Sequence, residues 1–246
     1  MLQPTAIAPA APTAVATAVA TVTAATAQVR PVGSVVRDNL PLLLSGLLVT
    51  LQLAAMGLAL ALVLGTVGAL LRTAPLWPLQ AVGTAYVEFI RNTPLLVQIF
   101  FVYVGLPAIG LRFPPFTAAV MALGIYTGAY VTEAIRAGIL SVGRGQLEAA
   151  RSLGLSYGQM MRYVVLPQAI TITVPPLGNL TIALFMNTSL ANAIAVPELL
   201  YRAQLVNSRT FATYEIFAFA ALCYLTFSLP MGGLVNLLER RLTRYR

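Results

Sequence analysis

The chain has 246 residues, of which 59% are hydrophobic and 9% charged, and its formal charge is +8. A soluble domain carries about a quarter of its residues as charges, so this composition excludes an ordinary globular enzyme and indicates an integral membrane protein. There is no histidine and no lysine. Imidazole acid–base or metal chemistry, Schiff-base chemistry and a lysine-dependent phosphate loop are therefore all excluded.

Residues 1–29 are a charge-free Ala/Thr/Pro/Val tract. No positive n-region precedes it, so it does not read as a signal peptide. We expect residues 1–37 to be a disordered or mobile tail and residues 38–246 to be one membrane domain.

A bilayer span needs about 20 mostly apolar residues. Five charge-free runs meet that length: Asn39–Leu71, Asn92–Leu111, Phe113–Thr132, Tyr163–Pro197 and Ile216–Leu238. The first span lies within Leu40–Leu71, with Asp38–Asn39 as a possible cap. The second is predicted at about 83–106, with Glu88 and Arg91 as a self-neutralising i,i+3 pair. The third runs over about 114–137 and ends in a similar pair, Glu133 and Arg136. The fourth run is longer than one span needs, and Pro167, Pro175 and Pro176 predict interruptions in it. The fifth covers about 214–238. The single cysteine, Cys223, falls inside it and reads as a packed membrane residue.

Five spans place the termini on opposite sides. The tail arginines Arg240, Arg241, Arg244 and Arg246 choose the cytoplasm by the positive-inside rule. Arg72, Arg136, Arg144, Arg151 and Arg162 then also lie inside, while Arg30, Arg37, Arg112, Arg202 and Arg209 lie outside. The basic residues mark topology and form no nucleic-acid stripe. On the outer side, Glu198 and Arg202 are expected to form an i,i+4 pair on an amphipathic segment, at the membrane surface or against a delivery protein.

The polar segment 138–163 interrupts this apolar pattern and is predicted to lie in the cytoplasm. Gln146–Leu153 has good helix formers. Gly154 supplies a left-handed stop. Ser156 and Gln159 are spaced as a capping box that starts a second helix running toward Pro167. Ala149 and Ala150 leave a small, close-packing face, and Glu148 offers one anionic contact.

Polar groups inside lipid are functional candidates by default. Gln98, Tyr126, Asn179, Asn187, Thr188 and Ser189 are the substrate-contact candidates, with Asn187–Ser189 the densest group. A helix broken near them would free backbone groups for a zwitterion. The bland alternative is that they bond only between helices.

Glu148-Ala149-Ala150, then Gly154, then Val164-x-Leu166-Pro167 resembles the EAA signature of ABC importer permeases, with Val164 where isoleucine is usual. Further stretches resemble the polar amino-acid permeases of the histidine/glutamine/arginine/glutamate uptake group. They are Glu88 to Gln98, Tyr130 to Leu140, Leu166-Pro167-Gln168, Pro175 to Asn179 and Asn187-Thr188-Ser189. The resemblance covers roughly Asp38 to Arg241. It implies an all-α membrane protein with five transmembrane helices in the type I ABC importer (MetI-like) permease fold, in a bacterial inner membrane.

It also implies the partners: two ABC ATPase subunits, a second permease subunit (identical or paralogous) and an external substrate-binding protein. ATP and magnesium belong on the ATPases, with no cofactor or metal in this chain and no enzymatic activity of its own. Glu148, Ala149, Ala150, Gly154 and Ser156 become the ATPase-coupling residues. Many members of that group carry Lys-Asp before Thr-Ser, where this chain has Met186-Asn187. The missing carboxylate favours a neutral or acidic amino acid (glutamine, glutamate, aspartate) over arginine or histidine. The competing reading is an ion-coupled transporter or channel, for which Glu88 and Glu133 are the only intramembrane carboxylates.

Overall fold

A computed structural model describes residues 33–243, and those residues are helical with short connections. The helices are α1 (Ser34–Asp38), α2 (Leu40–Thr73), α3 (Trp77–Arg91), α4 (Leu95–Phe100), α5 (Pro115–Leu140), α6 (Arg144–Ser152), α7 (Tyr157–Met160), α8 (Leu166–Asn187), α9 (Leu199–Thr210) and α10 (Thr213–Thr243). Of the expected tail, residues 1–32 lie outside the described residues. Ser34–Asp38 instead form helix α1. Val35 is buried against Leu43, Leu199 and Ile216, and the Val36 N–H donates to Glu215 at 2.8 Å. The expected Asn39 cap does not form; its amide nitrogen donates back to the Val35 carbonyl and closes α1.

Helices α2, α5 and α10 are each long and apolar enough to cross a bilayer, as is the stretch Tyr157–Ile194 that contains α8. The candidate for the fifth crossing is a pair of helices that are long and apolar enough only when taken together. Trp77–Arg91 and Leu95–Ile109 are bent by 104° at a short break, where a single helix over 83–106 was predicted. Asn92-Thr93-Pro94 is the cause: proline cannot donate and forces the preceding residue out of the helical region. A π-helical turn (Phe101–Gly105) and a 3-10 turn (Leu106–Ile109) finish the crossing.

α2 and α5 share the most extensive helix–helix interface. Lipid tails are as apolar as leucine, so helices in a bilayer associate through close packing and hydrogen bonds rather than by escaping water. The sequence provides for this. Gly57, Ala61 and Gly65 recur at every fourth position along α2 and are buried. At Gly65 the helices are so close that a Cβ would overlap the Val131 side chain. There the Thr132 hydroxyl donates to the Gly65 carbonyl at 3.2 Å and to the Gly128 carbonyl at 2.9 Å. α8 and α3 then pack on α5, and α10 packs on α8.

The proline pair does not break the fourth crossing. α8 runs from Leu166 to Asn187 straight through Pro175 and Pro176. Prolines are tolerated in membrane helices when neighbours re-satisfy the freed carbonyls. The irregularities fall at the two ends instead: a π-helical turn at Met161–Val165, and a change to 3-10 helix at Thr188–Ile194 that stops at Ala195 with φ +59°.

Candidate functional site

The central feature is a cavity of about 170 Å³ between α5 and α8, lined by Tyr126, Thr127, Tyr130, Leu180, Ala183, Leu184 and Asn187. Tyr126 and Tyr130 stand one turn apart on α5, and their hydroxyls are 3.1 Å from each other. The Arg91 guanidinium lies over the Tyr130 ring, 5.0 Å from its centroid. Arg91 therefore does not pair with Glu88 as expected; the Glu88 carboxylate accepts from the Asn92 side chain at 3.2 Å. The Asn187 amide makes no hydrogen bond with any other described residue. It stands on the last residue of α8, where the helix changes pitch.

Two of the six substrate-contact candidates, Tyr126 and Asn187, thus meet in one cavity. Asn179 sits exposed on α8 two turns away, outside the cavity lining. The Thr188 hydroxyl is buried and donates to the Phe185 carbonyl at 2.7 Å, and the Ser189 hydroxyl donates to the Met186 carbonyl at 2.8 Å. Both satisfy the helix end.

Gln98 lies elsewhere. It is only 8% exposed, and its amide nitrogen donates to the Ile90 and Thr93 carbonyls at 2.9 and 3.1 Å. The Thr93 N–H also reaches the Ile90 carbonyl at 3.4 Å, and the Gln98 amide adds a bond there and one to the Thr93 carbonyl, so Gln98 ties the bend together. Beside it is a separate apolar cavity of about 270 Å³, walled by Phe89, Phe101 and Met121 among others.

The segment after α5 has the predicted local structure. α6 spans Arg144–Ser152 and ends at Gly154, whose φ is +75°. Ser156 caps α7: its hydroxyl accepts from the Gln159 N–H at 3.4 Å, and the Gln159 side chain accepts from the Ser156 N–H at 2.9 Å. Glu148, Ala149, Gly154 and Ser156 are exposed, and Ala150 is buried. Leu153 and Tyr157 flank the turn at 81% and 69% exposure. The Gln168 side chain, near the start of α8, donates to the Gln146 side chain on α6 at 2.5 Å. The two arms of the segment are thereby tied to one another.

Just above the segment, Glu133 is held from both sides by Arg136 and by Arg72 of α2. The sequence predicted the first pairing. The second joins residues 61 positions apart and follows only from the packing of α2 on α5.

On the opposite end of the helices, Glu198 does not sit on a surface and does not pair with Arg202. It is fully buried at the N-terminus of α9. Its oxygens accept from the Leu200 and Tyr201 N–H groups at 2.9 and 2.6 Å and from the Tyr224 hydroxyl at 3.1 Å. Burial pushes its carboxyl above the ordinary glutamate range, while these donors pull it back. Among the described residues no group of three or more His, Cys, Asp or Glu side chains is arranged to hold a metal ion.

Residues 61–244 match the family model of the binding-protein-dependent transport system inner membrane component. The chain belongs to this family. Its curated relatives include the probable glutamine ABC transporter permease protein GlnM of Bacillus subtilis, 47% identical over 211 residues that span 86% of this chain and 98% of the relative. Another is the glutamine transport system permease protein GlnP of Escherichia coli, 39% identical over 85% of this chain and 96% of the relative. Among solved structures, a crystal structure of an amino acid ABC transporter with histidines matches with a TM-score of 0.81 and 39% identity, covering 87% of this chain and 100% of that one.

This permease therefore has the MetI-like fold of ABC importer subunits and is an amino-acid ABC transporter permease of a multi-pass inner-membrane family. Neither carboxylate on which the competing ion-coupled reading rested is free: Glu133 is gripped by two arginines, and Glu88 accepts from Asn92. The sequence reading assigned no substrate role to Tyr130 or Arg91, which stand at the cavity. Tyr126 and Tyr130 lie at i,i+4 on one apolar helix, and that spacing was the available signal.

Proposed function

We propose that this permease carries neutral or acidic polar amino acids, with glutamine, glutamate and aspartate favoured over arginine and histidine. The observation that carries the reading is the chemistry of the Tyr126–Asn187 cavity. No carboxylate lines it, and Arg91 is the cation beside its wall. A cationic side chain would be desolvated there without a counter-charge, which is costly. An amide or a carboxylate would meet hydroxyls, the Asn187 amide and a nearby guanidinium. Met186-Asn187 in place of Lys-Asp points the same way, as do the relatives named for glutamine.

An external binding protein delivers the amino acid to a pair of permease subunits, identical or paralogous. The N-terminus lies outside and the C-terminus in the cytoplasm. Two ATPase subunits, which carry ATP and magnesium, dock on the exposed Glu148, Ala149, Gly154 and Ser156 of each permease, while the buried Ala150 packs α6 from beneath. The exposed Leu153 and Tyr157 supply apolar contact area at the turn. ATP-driven closure of the ATPases pushes α6 and α7, and the push passes to α5 and α8 together, because the segment joins both.

The test is uptake by the reconstituted complex against a panel of amino acids. Saturable glutamine, glutamate or aspartate uptake, with little for arginine and histidine, is the expected result. Preferential arginine uptake would refute the cargo reading. Replacing Glu148 by Arg, or Gly154 by a bulky residue, tests docking: unchanged substrate-stimulated ATPase activity would remove the coupling role.

A further inference from the structure

Glu198 is more elaborately held than a helix cap requires. A serine or aspartate would satisfy the first N–H groups of α9. Glu198 does so and also reaches two other helices. Tyr224 of α10 donates to it at 3.1 Å, and Thr50 of α2 lies 3.5 Å from the same oxygen. Thr50 itself accepts from the Leu199 N–H at 3.1 Å. At this level α2 and α9 are nearly in backbone contact, for a Cβ at Gly46 would overlap the Arg202 side chain. Arg202, one turn along α9, forms no ion pair with Glu198. The carboxylate is thus buried without a cation, an expensive arrangement unless every lone pair is occupied.

From this node a line of contacts leads to the cavity. The Tyr224 ring packs edge-on against Phe185, centroid to centroid 5.5 Å, and Phe227 packs on Phe185 at 5.9 Å. Phe185 is fully buried, and its carbonyl accepts from Thr188. Two residues further along the same helix end is Asn187.

We propose that Glu198 is a positioning residue for transport: by binding α2, α9 and α10 into one body, it fixes the end of α8 at the cavity. Movement entering from the coupling segment then alters the Tyr126–Asn187 wall and is not dissipated at the far end of the helices. The inference rests on the assignment of that cavity to the substrate path.

The experiment uses the whole transporter, with its ATPase subunits and binding protein, in proteoliposomes. Glu198→Gln, Tyr224→Phe and Thr50→Val are compared with the unaltered permease for complex yield, ATP hydrolysis and glutamine uptake. The expected result is assembly with ATP hydrolysis retained, and uptake per ATP lower by about fivefold or more in Glu198→Gln and Tyr224→Phe. Glu198→Gln combined with Tyr224→Phe should be no worse than Glu198→Gln alone, as for groups acting through one contact.

A merely structural role would lower yield and leave uptake per ATP unchanged. A ratio within about twofold of the unaltered complex in the variants that assemble overturns the proposal. Should Glu198→Gln fail to assemble, Tyr224→Phe and Thr50→Val, which keep the carboxylate, decide by the same ratio. Failure of all three assigns Glu198 to folding alone and overturns the proposal as well. If the unaltered complex takes up another amino acid and not glutamine, the cargo reading fails, and the variants are compared with that amino acid instead.

Discussion

Arg72 and Glu133 form an ion pair across the α2–α5 interface, and Arg136 grips the second Glu133 oxygen at 3.0 Å. One carboxylate therefore bridges two guanidiniums at the end of the extensive α2–α5 contact, offsetting half of their charge. Removing it leaves two like charges facing each other in a partly buried site. Glu133→Gln is expected to destabilise the permease by about 1–3 kcal/mol, less than a fully buried pair because water still reaches these groups. The second change Arg72→Gln should restore part of the loss. Thermal unfolding of the detergent-solubilised permease measures both, and a double variant weaker than the single would contradict the shared-carboxylate arrangement.

The α2–α5 contact makes a separate prediction. Gly65→Leu forces a side chain into the Val131 position, and overpacking of this kind costs about 1–3 kcal/mol or more. Thr132→Val keeps the shape and removes the hydrogen bond to the Gly65 carbonyl, a loss of only about 0.6 kcal/mol on membrane precedents. The order of the two melting temperatures tests whether packing or hydrogen bonding holds these helices.

Gln98 separates a structural from a substrate role. At the 104° bend Gln98→Leu removes the side-chain donor to the Thr93 carbonyl and leaves the Ile90 carbonyl only the Thr93 N–H at 3.4 Å. Each unpaired buried acceptor costs about 1–3 kcal/mol, so yield and thermal stability should fall. The KM of whatever complex assembles should stay near that of the unaltered one, since Gln98 does not line the Tyr126–Asn187 cavity. A large KM change at normal stability would return Gln98 to the substrate site.

The coupling segment and the Gln98 bend show where the sequence was legible. The Gly154 stop and the Ser156–Gln159 capping box are local arrangements, encoded within a few residues, and both are present as read. The spans follow from apolar run length, which is equally local. What was not legible depends on residues far apart in sequence. Gln98 is polar in an apolar run and reads as a substrate ligand until the bend beneath it is known. Glu198 reads as a surface partner of Arg202 until α2 and α10 supply Thr50 and Tyr224. Pro175–Pro176 reads as a break, yet neighbouring helices keep α8 straight enough to continue.

The capping box also yields a graded test of coupling. Ser156→Ala removes the acceptor for the Gln159 N–H, a change worth about 1 kcal/mol at a helix start. Gly154→Val places a β-branched residue at φ +75°, where the left-handed conformation costs about 1–2 kcal/mol. Hydrogen exchange should show faster exchange at Tyr157–Met160 in both variants, with the cavity helices unaffected. Substrate-stimulated ATPase activity should fall in the same order as protection. Full stimulation despite a frayed α7 would mean that the rigidity of this turn is irrelevant to docking.

Asn187 is the position at which cargo selectivity should respond to a single charge. It lines the cavity, makes no hydrogen bond with other described residues and follows Met186 where a Lys-Asp pair was expected from the resemblance. Asn187→Asp changes its size little and installs the missing carboxylate. A carboxylate in a poorly solvated cavity attracts a guanidinium or ammonium strongly and repels a substrate carboxylate. Uptake of arginine relative to glutamine is expected to rise about tenfold, equivalent to about 1.4 kcal/mol of discrimination. Glutamate uptake should fall further than glutamine uptake, because only glutamate carries a second negative charge. Competition assays with the reconstituted complex measure these ratios, using a binding protein that accepts all three amino acids so that delivery does not limit the result. If the three ratios are unchanged in a variant that assembles and hydrolyses ATP normally, Asn187 does not face the cargo, and the selectivity of the system resides in the binding protein or in the other permease subunit.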